Sequence, residues 1–105
     1  MVELTHLTFG EFISQNEFAV VHFWADWNPY DKQTQERLEQ LPEEIRDRIA
    51  IGRLNADVED HFDIFRAHGV VSLPYLFFYR SSVLIERRGG LMTPEALEEV
   101  FRTLL

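Results

Sequence analysis

An apolar run that leads directly into a strong helix start is the feature that most constrains this chain. Phe18 to Trp24 is rich in valine and aromatic residues, which is typical of a strand buried inside a sheet. Asn28 can cap a helix that begins at Pro29, and Asp31 places a carboxylate near the positive end of the helix dipole. A buried strand followed at once by a helix indicates an α/β fold.

The spacing of apolar residues predicts the order β-α-β-α-β-α-β-β-α along the chain. Thr8, with Glu11 three residues later, predicts a capping box at the first helix. Leu38 and Leu41 begin a helical stripe that continues to about residue 48, and Pro42 should kink or divide that helix. We predict strands at residues 2–7, 18–24, 49–54, 75–79 and 83–86, a short helix that Gly69 ends, and a last helix capped by Thr93.

The composition of the chain limits the classes of protein to which it can belong. The chain has 105 residues, of which 46% are apolar, so we expect one domain, residues 1–105, with its own core. The N-terminal segment lacks the pattern of a signal peptide and no apolar stretch is long enough for a membrane span, so we expect a cytoplasmic location. The formal net charge of −8 argues against nucleic-acid and membrane partners, because their phosphates would be repelled.

The chain contains no cysteine. Thiol nucleophiles, disulfide exchange and thiolate metal sites are therefore excluded. This conclusion depends on residue content alone and holds for any fold.

Five segments, in order, resemble the thioredoxin family. They are Val21-His22-Phe23-Trp24-Ala25-Asp26-Trp27, similar to V-D-F-W-A-x-W; Lys32, which follows the second cysteine of the family; Arg53-Leu54-Asn55-Ala56-Asp57, similar to K-L-N-x-D; Gly69-Val70-Val71-Ser72-Leu73-Pro74, similar to G-I-x-x-I-P; and Gly90. The resemblance implies a thioredoxin fold, with a central mixed sheet of four to five strands flanked by helices on both faces. It also implies a cis peptide bond before Pro74.

The chain differs from the thioredoxin family at the positions of the redox centre. Asn28 and Asp31 stand where the family has its two cysteines, and His22 stands where it has a buried carboxylate. Arg53 replaces the lysine partner of that carboxylate. The resemblance thus implies a redox-inactive thioredoxin-like protein that performs no dithiol chemistry, and we expect no enzymatic activity, no catalytic residues and no cofactor.

The resemblance also implies a peptide-binding groove, whose backbone beside the proline can pair with an extended segment without any sulfur. Our first hypothesis is an adaptor or chaperone-like module whose partner is a protein or an extended peptide client. Trp27 and Leu73 could instead serve mainly to cover the core edge. The predicted groove residues are Trp27, Pro29, Tyr30, Leu73, Pro74 and Leu91.

Two other hypotheses are distinct from peptide binding. A non-redox enzyme would pair the Asp31 carboxylate with the His22 imidazole, provided that both face one accessible cleft. A scaffold or oligomerisation domain would use a helix face or the strand at residues 75–79. We predict no metal site, because His61 and His68 are two helical turns apart and the acidic residues near them lack the spacing of a calcium loop. The sequence does not specify an oligomeric state.

Overall fold

In the computed structural model, which describes residues 1–105 throughout, a five-stranded mixed sheet lies between two layers of helices. The expected thioredoxin fold is confirmed. The elements in chain order are β1 (Val2–Glu3), α1 (Phe9–Gln15), β2 (Phe18–Trp24), α2 (Pro29–Glu39), α3 (Glu43–Arg46), β3 (Ala50–Asn55), a 3₁₀ turn (Glu59–His61), α4 (Phe62–Ala67), β4 (Tyr75–Arg80), β5 (Val83–Gly89) and α5 (Pro94–Leu104).

The strands lie in the order β1-β3-β2-β4-β5. β1, β3 and β2 are parallel to one another, whereas β4 runs antiparallel to β2, and β5 antiparallel to β4. β2 and β4 are therefore interior strands, with both of their hydrogen-bonding edges occupied. The carboxyl end of β2 and the start of β4 meet at one end of the sheet, where Phe23 pairs with Tyr75. This arrangement brings the start of α2 close to the loop that ends at Pro74.

Alternation along β2 divides the core into two layers. Ala19, Val21 and Phe23 pack in a cluster with α1 and α4 on one face of the sheet. Phe18 and Val20 pack in a second cluster with α2, α3 and α5 on the other face. Because side chains alternate with a period of two, His22 lies on the same face as Val20, directly beneath α2.

Several element boundaries differ from the sequence predictions. Pro42 does divide the long helical pattern, so that α2 ends at Glu39 and α3 is separate. β1 is only two residues long, and β5 extends to Gly89. The capping box at α1 is wrong: Thr8 has helical backbone angles and makes no side-chain cap bond, and its hydroxyl instead accepts a hydrogen bond from the N–H of Thr5 at 2.9 Å. No helix has the length and apolar character needed to cross a bilayer.

Burial raises the pKa of the Tyr79 phenol from its ordinary 10.0 to about 12, and its hydroxyl has no hydrogen-bond partner. As the pH rises, the unfolded chain releases this proton before the folded chain does. We therefore expect the free energy of unfolding to fall by an amount on the order of 2 kcal/mol as the pH rises from about 10 to about 12. Tyr79→Phe should remove this contribution. Urea unfolding at about pH 8 and about pH 11 measures the change. Equal losses in both proteins would show that Tyr79 does not cause the alkaline destabilisation.

Candidate functional site

Asn28 caps α2 as predicted and also ties the helix to a distant loop. Its Oδ1 accepts a hydrogen bond from the N–H of Tyr30 at 2.9 Å, which satisfies one free amide of the first helical turn. Its Nδ2 donates to the carbonyl of Leu73 at 3.0 Å. Nothing in the local sequence pattern indicates this second bond. The start of α2 is thereby held against the loop that precedes Pro74.

Asp31 is buried, with only 2% of its surface exposed. Its Oδ2 accepts a hydrogen bond from the N–H of Ala25 at 2.9 Å. Its Oδ1 lies 3.5 Å from Nε2 of His22, which is also fully buried. Asp31 lies in the first turn of α2 as predicted, but its interior position was not predicted. The sequence pattern did indicate an interior position for Asp31. Asp31, Thr34 and Leu38 follow the spacing of one helix face, and all three are buried.

The His22–Asp31 arrangement meets only half of the requirement for the enzyme hypothesis. The two side chains do approach each other, but His22 has no exposure to solvent. A surface pocket of about 180 Å³ beside α2 is lined in part by Asp31, Lys32 and Arg53, and His22 is not among its lining residues. A substrate in this pocket would therefore not reach the imidazole, and the pair does not form an accessible acid–base site.

The predicted groove residues separate into exposed and interior groups. Trp27 is 67% exposed, and its indole N–H donates to Oδ1 of Asp57 at 3.0 Å. Pro29, Tyr30 and Leu91 are also exposed. Leu73 is only partly exposed, since it packs against the core. The prediction that Pro74 presents surface to a partner is wrong, because its side chain is fully buried and contributes geometry to the loop instead.

Val71 is an exposed apolar residue that was not among the predicted groove residues. It is 95% exposed, whereas its neighbour Val70 is buried. The Val70-Val71 pair gave a weak indication of this exposure. Adjacent residues in an extended loop point in opposite directions, so one of the two valines had to face outwards. We use the name aromatic groove for the predicted binding surface as revised by these exposures: Trp27, Pro29, Tyr30, Val71, Leu73 and Leu91.

The backbone beside the aromatic groove retains free hydrogen-bonding groups. The N–H groups of Val71, Ser72 and Leu73 make no hydrogen bond within the chain. The carbonyl of Leu73 accepts from Asn28, and the carbonyl of Pro74 accepts from the N–H of Gly90 at 2.9 Å. The Leu73–Pro74 peptide bond is cis. An extended segment lying here would find backbone donors available and the two carbonyl acceptors already engaged.

A family model for thioredoxin matches residues 1–103. The chain belongs to the thioredoxin family. It is similar to the thioredoxin of Bacillus subtilis, with 28% identity over 100 residues that cover 95% of this chain and 93% of that protein. Mitochondrial thioredoxin 3 from Saccharomyces cerevisiae has a TM-score of 0.83 at 27% identity, over 98% of this chain and 94% of that one. The oxidised thioredoxin from Plasmodium falciparum, with a TM-score of 0.84 at 18% identity over 99% of this chain and 97% of that one, shares the fold.

This thioredoxin-family chain has kept the scaffold around a site without sulfur. Asn28 and Asp31 stand where the resemblance places the two cysteines, and the chain has no cysteine elsewhere. Each of these two residues makes a hydrogen bond to backbone outside α2. Asn28 donates to the carbonyl of Leu73, in the loop that ends at Pro74, and Asp31 accepts from the N–H of Ala25, just after β2. Dithiol exchange needs a thiolate that this chain does not contain.

His61 and His68 pack within the structure. His61 is buried, and its Nδ1 lies 2.8 Å from the carbonyl oxygen of Asn55. His68 packs edge-on against Phe9, with ring centroids 5.3 Å apart, and also contacts Phe77. The structure contains no group of three or more histidine, aspartate or glutamate side chains arranged to hold a metal ion.

Proposed function

We propose that this chain is a binding module of the thioredoxin family that takes an extended peptide segment of a client protein in its aromatic groove. It acts as an adaptor or chaperone-like protein and performs no dithiol exchange. The proposal includes a cytoplasmic location and excludes nucleic acid and membranes as partners. Its main support is the concentration of exposed apolar surface beside free backbone donors, at the place where the family's redox centre would lie.

Most of the support for peptide binding comes from the exposure of Trp27 and Val71 to solvent. Both belong to residue types that stabilise a folded protein when they are buried, yet they are 67% and 95% exposed. Asp57 holds the indole of Trp27 in place, so the ring is oriented before any partner arrives. The free N–H groups of Val71 and Leu73 supply the main-chain bonds by which a sheet edge or loop binds an extended segment.

The other two hypotheses receive less support. The strand at residues 75–79 was a candidate for oligomerisation, but β4 is already paired on both edges, with β2 and with β5. An enzyme that uses Asp31 and His22 would require solvent at both side chains, and His22 is fully buried.

Val71→Asp should weaken peptide binding by at least about tenfold, because it places a carboxylate at the most exposed apolar point of the groove. The expected cost in folding stability is small, since Val71 makes almost no buried contact. Peptides selected from a display library against the unmodified protein would serve as ligands, and calorimetry would measure their dissociation constants.

Val83→Asp is the matched control, since Val83 is also an exposed valine but lies on the edge strand β5. It should leave peptide affinity unchanged. If both variants bind selected peptides as tightly as the unmodified chain, the aromatic groove is not the binding site. If both weaken binding equally, the effect is one of net charge.

A further inference from the structure

An apolar depression is formed in part by residues that are chain neighbours of the aromatic groove. Its volume is about 380 Å³, and it is lined by Ala56, Phe62, Phe65, Arg66 and Val70. Val70 directly precedes Val71, and Ala56 directly precedes Asp57, which holds Trp27. Two residues that line the depression are thus chain neighbours of Val71 and of Asp57.

The depression is lined by an aromatic ring that the core does not use. Phe62 is 45% exposed at the start of α4, whereas Phe65 is buried and packs against Phe23 with ring centroids 4.9 Å apart. Phe65 thus lies at the buried side of the depression, and Phe62 at its exposed side. This shallow apolar surface offers contact area to an apolar side chain of a partner.

The segment that carries this depression is strongly acidic. Asp57, Glu59, Asp60 and Asp63 lie within seven residues of the chain. Only Asp63 has a basic partner, Arg66 at 2.8 Å, so the one cation that lines the depression is already neutralised. Asp57, Glu59 and Asp60 have no ion-pair partner, and in the chain they lie between Ala56 and Phe62, which both line the depression.

We propose that the client segment carries an apolar side chain that fills this depression and lysine or arginine residues next to it. This inference rests on the proposed peptide-binding function and specifies the class of peptide. Charge complementarity selects the occupant, because three unpaired carboxylates lie on the segment that joins two lining residues, Ala56 and Phe62. A second copy of this chain is disfavoured, since two surfaces of molecules with a net charge of −8 repel each other.

Three short synthetic peptides test the inference. They share one aromatic anchor and one length, and their flanking positions are lysine, glutamine or glutamate. We expect the lysine peptide to bind about tenfold more tightly than the glutamine peptide, and the glutamate peptide to show no saturable binding. Higher salt should weaken the lysine peptide most, because it screens the attraction between exposed charges.

Variants of this chain separate the contribution of the acidic residues from that of the apolar depression. The double variant Asp57→Asn, Asp60→Asn should weaken the lysine peptide by about three- to tenfold and leave the glutamine peptide unchanged. Asparagine at position 57 still offers an oxygen to the Trp27 indole. Phe62→Ala should weaken both peptides. The matched controls are Glu95→Gln, an exposed acid on α5, and Leu84→Ala, an exposed apolar residue on β5; neither should change binding.

The outcomes distinguish this inference from the proposed function. Equal affinity for the three peptides, with sensitivity to Val71→Asp, would overturn the inference and leave groove binding intact. Peptide binding insensitive to Val71→Asp, or no binding at all, would overturn both. Self-association that Phe62→Ala abolishes, measured by sedimentation, would assign the depression to a second copy and overturn the inference.

Discussion

Replacing Asp31 with alanine is expected to lower the free energy of unfolding by about 2–3 kcal/mol, because it leaves the buried N–H of Ala25 without its acceptor. The N–H of Ala25 would lose its acceptor, now at 2.9 Å, and the His22 imidazole would lose the carboxylate at 3.5 Å. Both Ala25 and His22 are buried. Urea unfolding of the variant and the unmodified protein measures the difference.

Two further variants show which contact matters. Asp31→Asn keeps an oxygen for the Ala25 N–H and removes the negative charge beside His22, so we expect a smaller loss of about 1–2 kcal/mol. Thr34→Val is the matched control on the same buried face. It removes a hydroxyl that has no partner, and its stability should equal or exceed that of the unmodified chain. An Asp31→Ala protein as stable as the unmodified one would mean that burying the carboxylate offsets everything its contacts contribute.

Replacing Asn28 with alanine is expected to cost about 2–3 kcal/mol, since one side chain makes both the helix cap and the bond to the proline loop. The cap is the 2.9 Å bond from the N–H of Tyr30, and the second bond spans 3.0 Å to the carbonyl of Leu73. The same unfolding experiment measures the loss.

Asn28→Ser separates these two bonds. The serine hydroxyl can accept from the Tyr30 N–H but is too short to reach the Leu73 carbonyl, so this variant should lose about 1 kcal/mol. If serine and alanine cost the same, the bond to Leu73 accounts for the entire effect. If alanine costs nothing, the cap and the bond to the loop contribute no net stability.

The order of elements was predictable because the signals are local. Apolar alternation, helical spacing and the prolines at positions 29, 42 and 94 depend on residues a few positions apart, and these features placed the strands and helices in the correct order, including the division at Pro42. Boundaries were less accurate where pairing decided them. β5 extends to Gly89 because β4 offers it partners as far as Tyr75.

The candidate site was predictable in part. Trp27 and Tyr30 are exposed as the groove hypothesis requires, but Pro74 is buried and Val71 was missed. The residue type of a loop position indicates its chemistry, whereas its orientation depends on how the loop packs against β4 and α4. Sequence reasoning therefore placed exposed apolar residues in these segments but did not identify every side chain that faces outwards, and peptide binding there stays a prediction.

The sequence by itself determined that no thiol chemistry occurs here, because that conclusion requires only the absence of cysteine. It also determined that α2 begins at Pro29, because a cap acts within one helical turn. Only the tertiary structure decided that Asp31 meets His22 inside the core and that Asn28 bonds to Leu73. Those contacts depend on which face of β2 lies under α2 and on how β4 pairs beside it, and such relations arise only when distant parts of the chain are brought together.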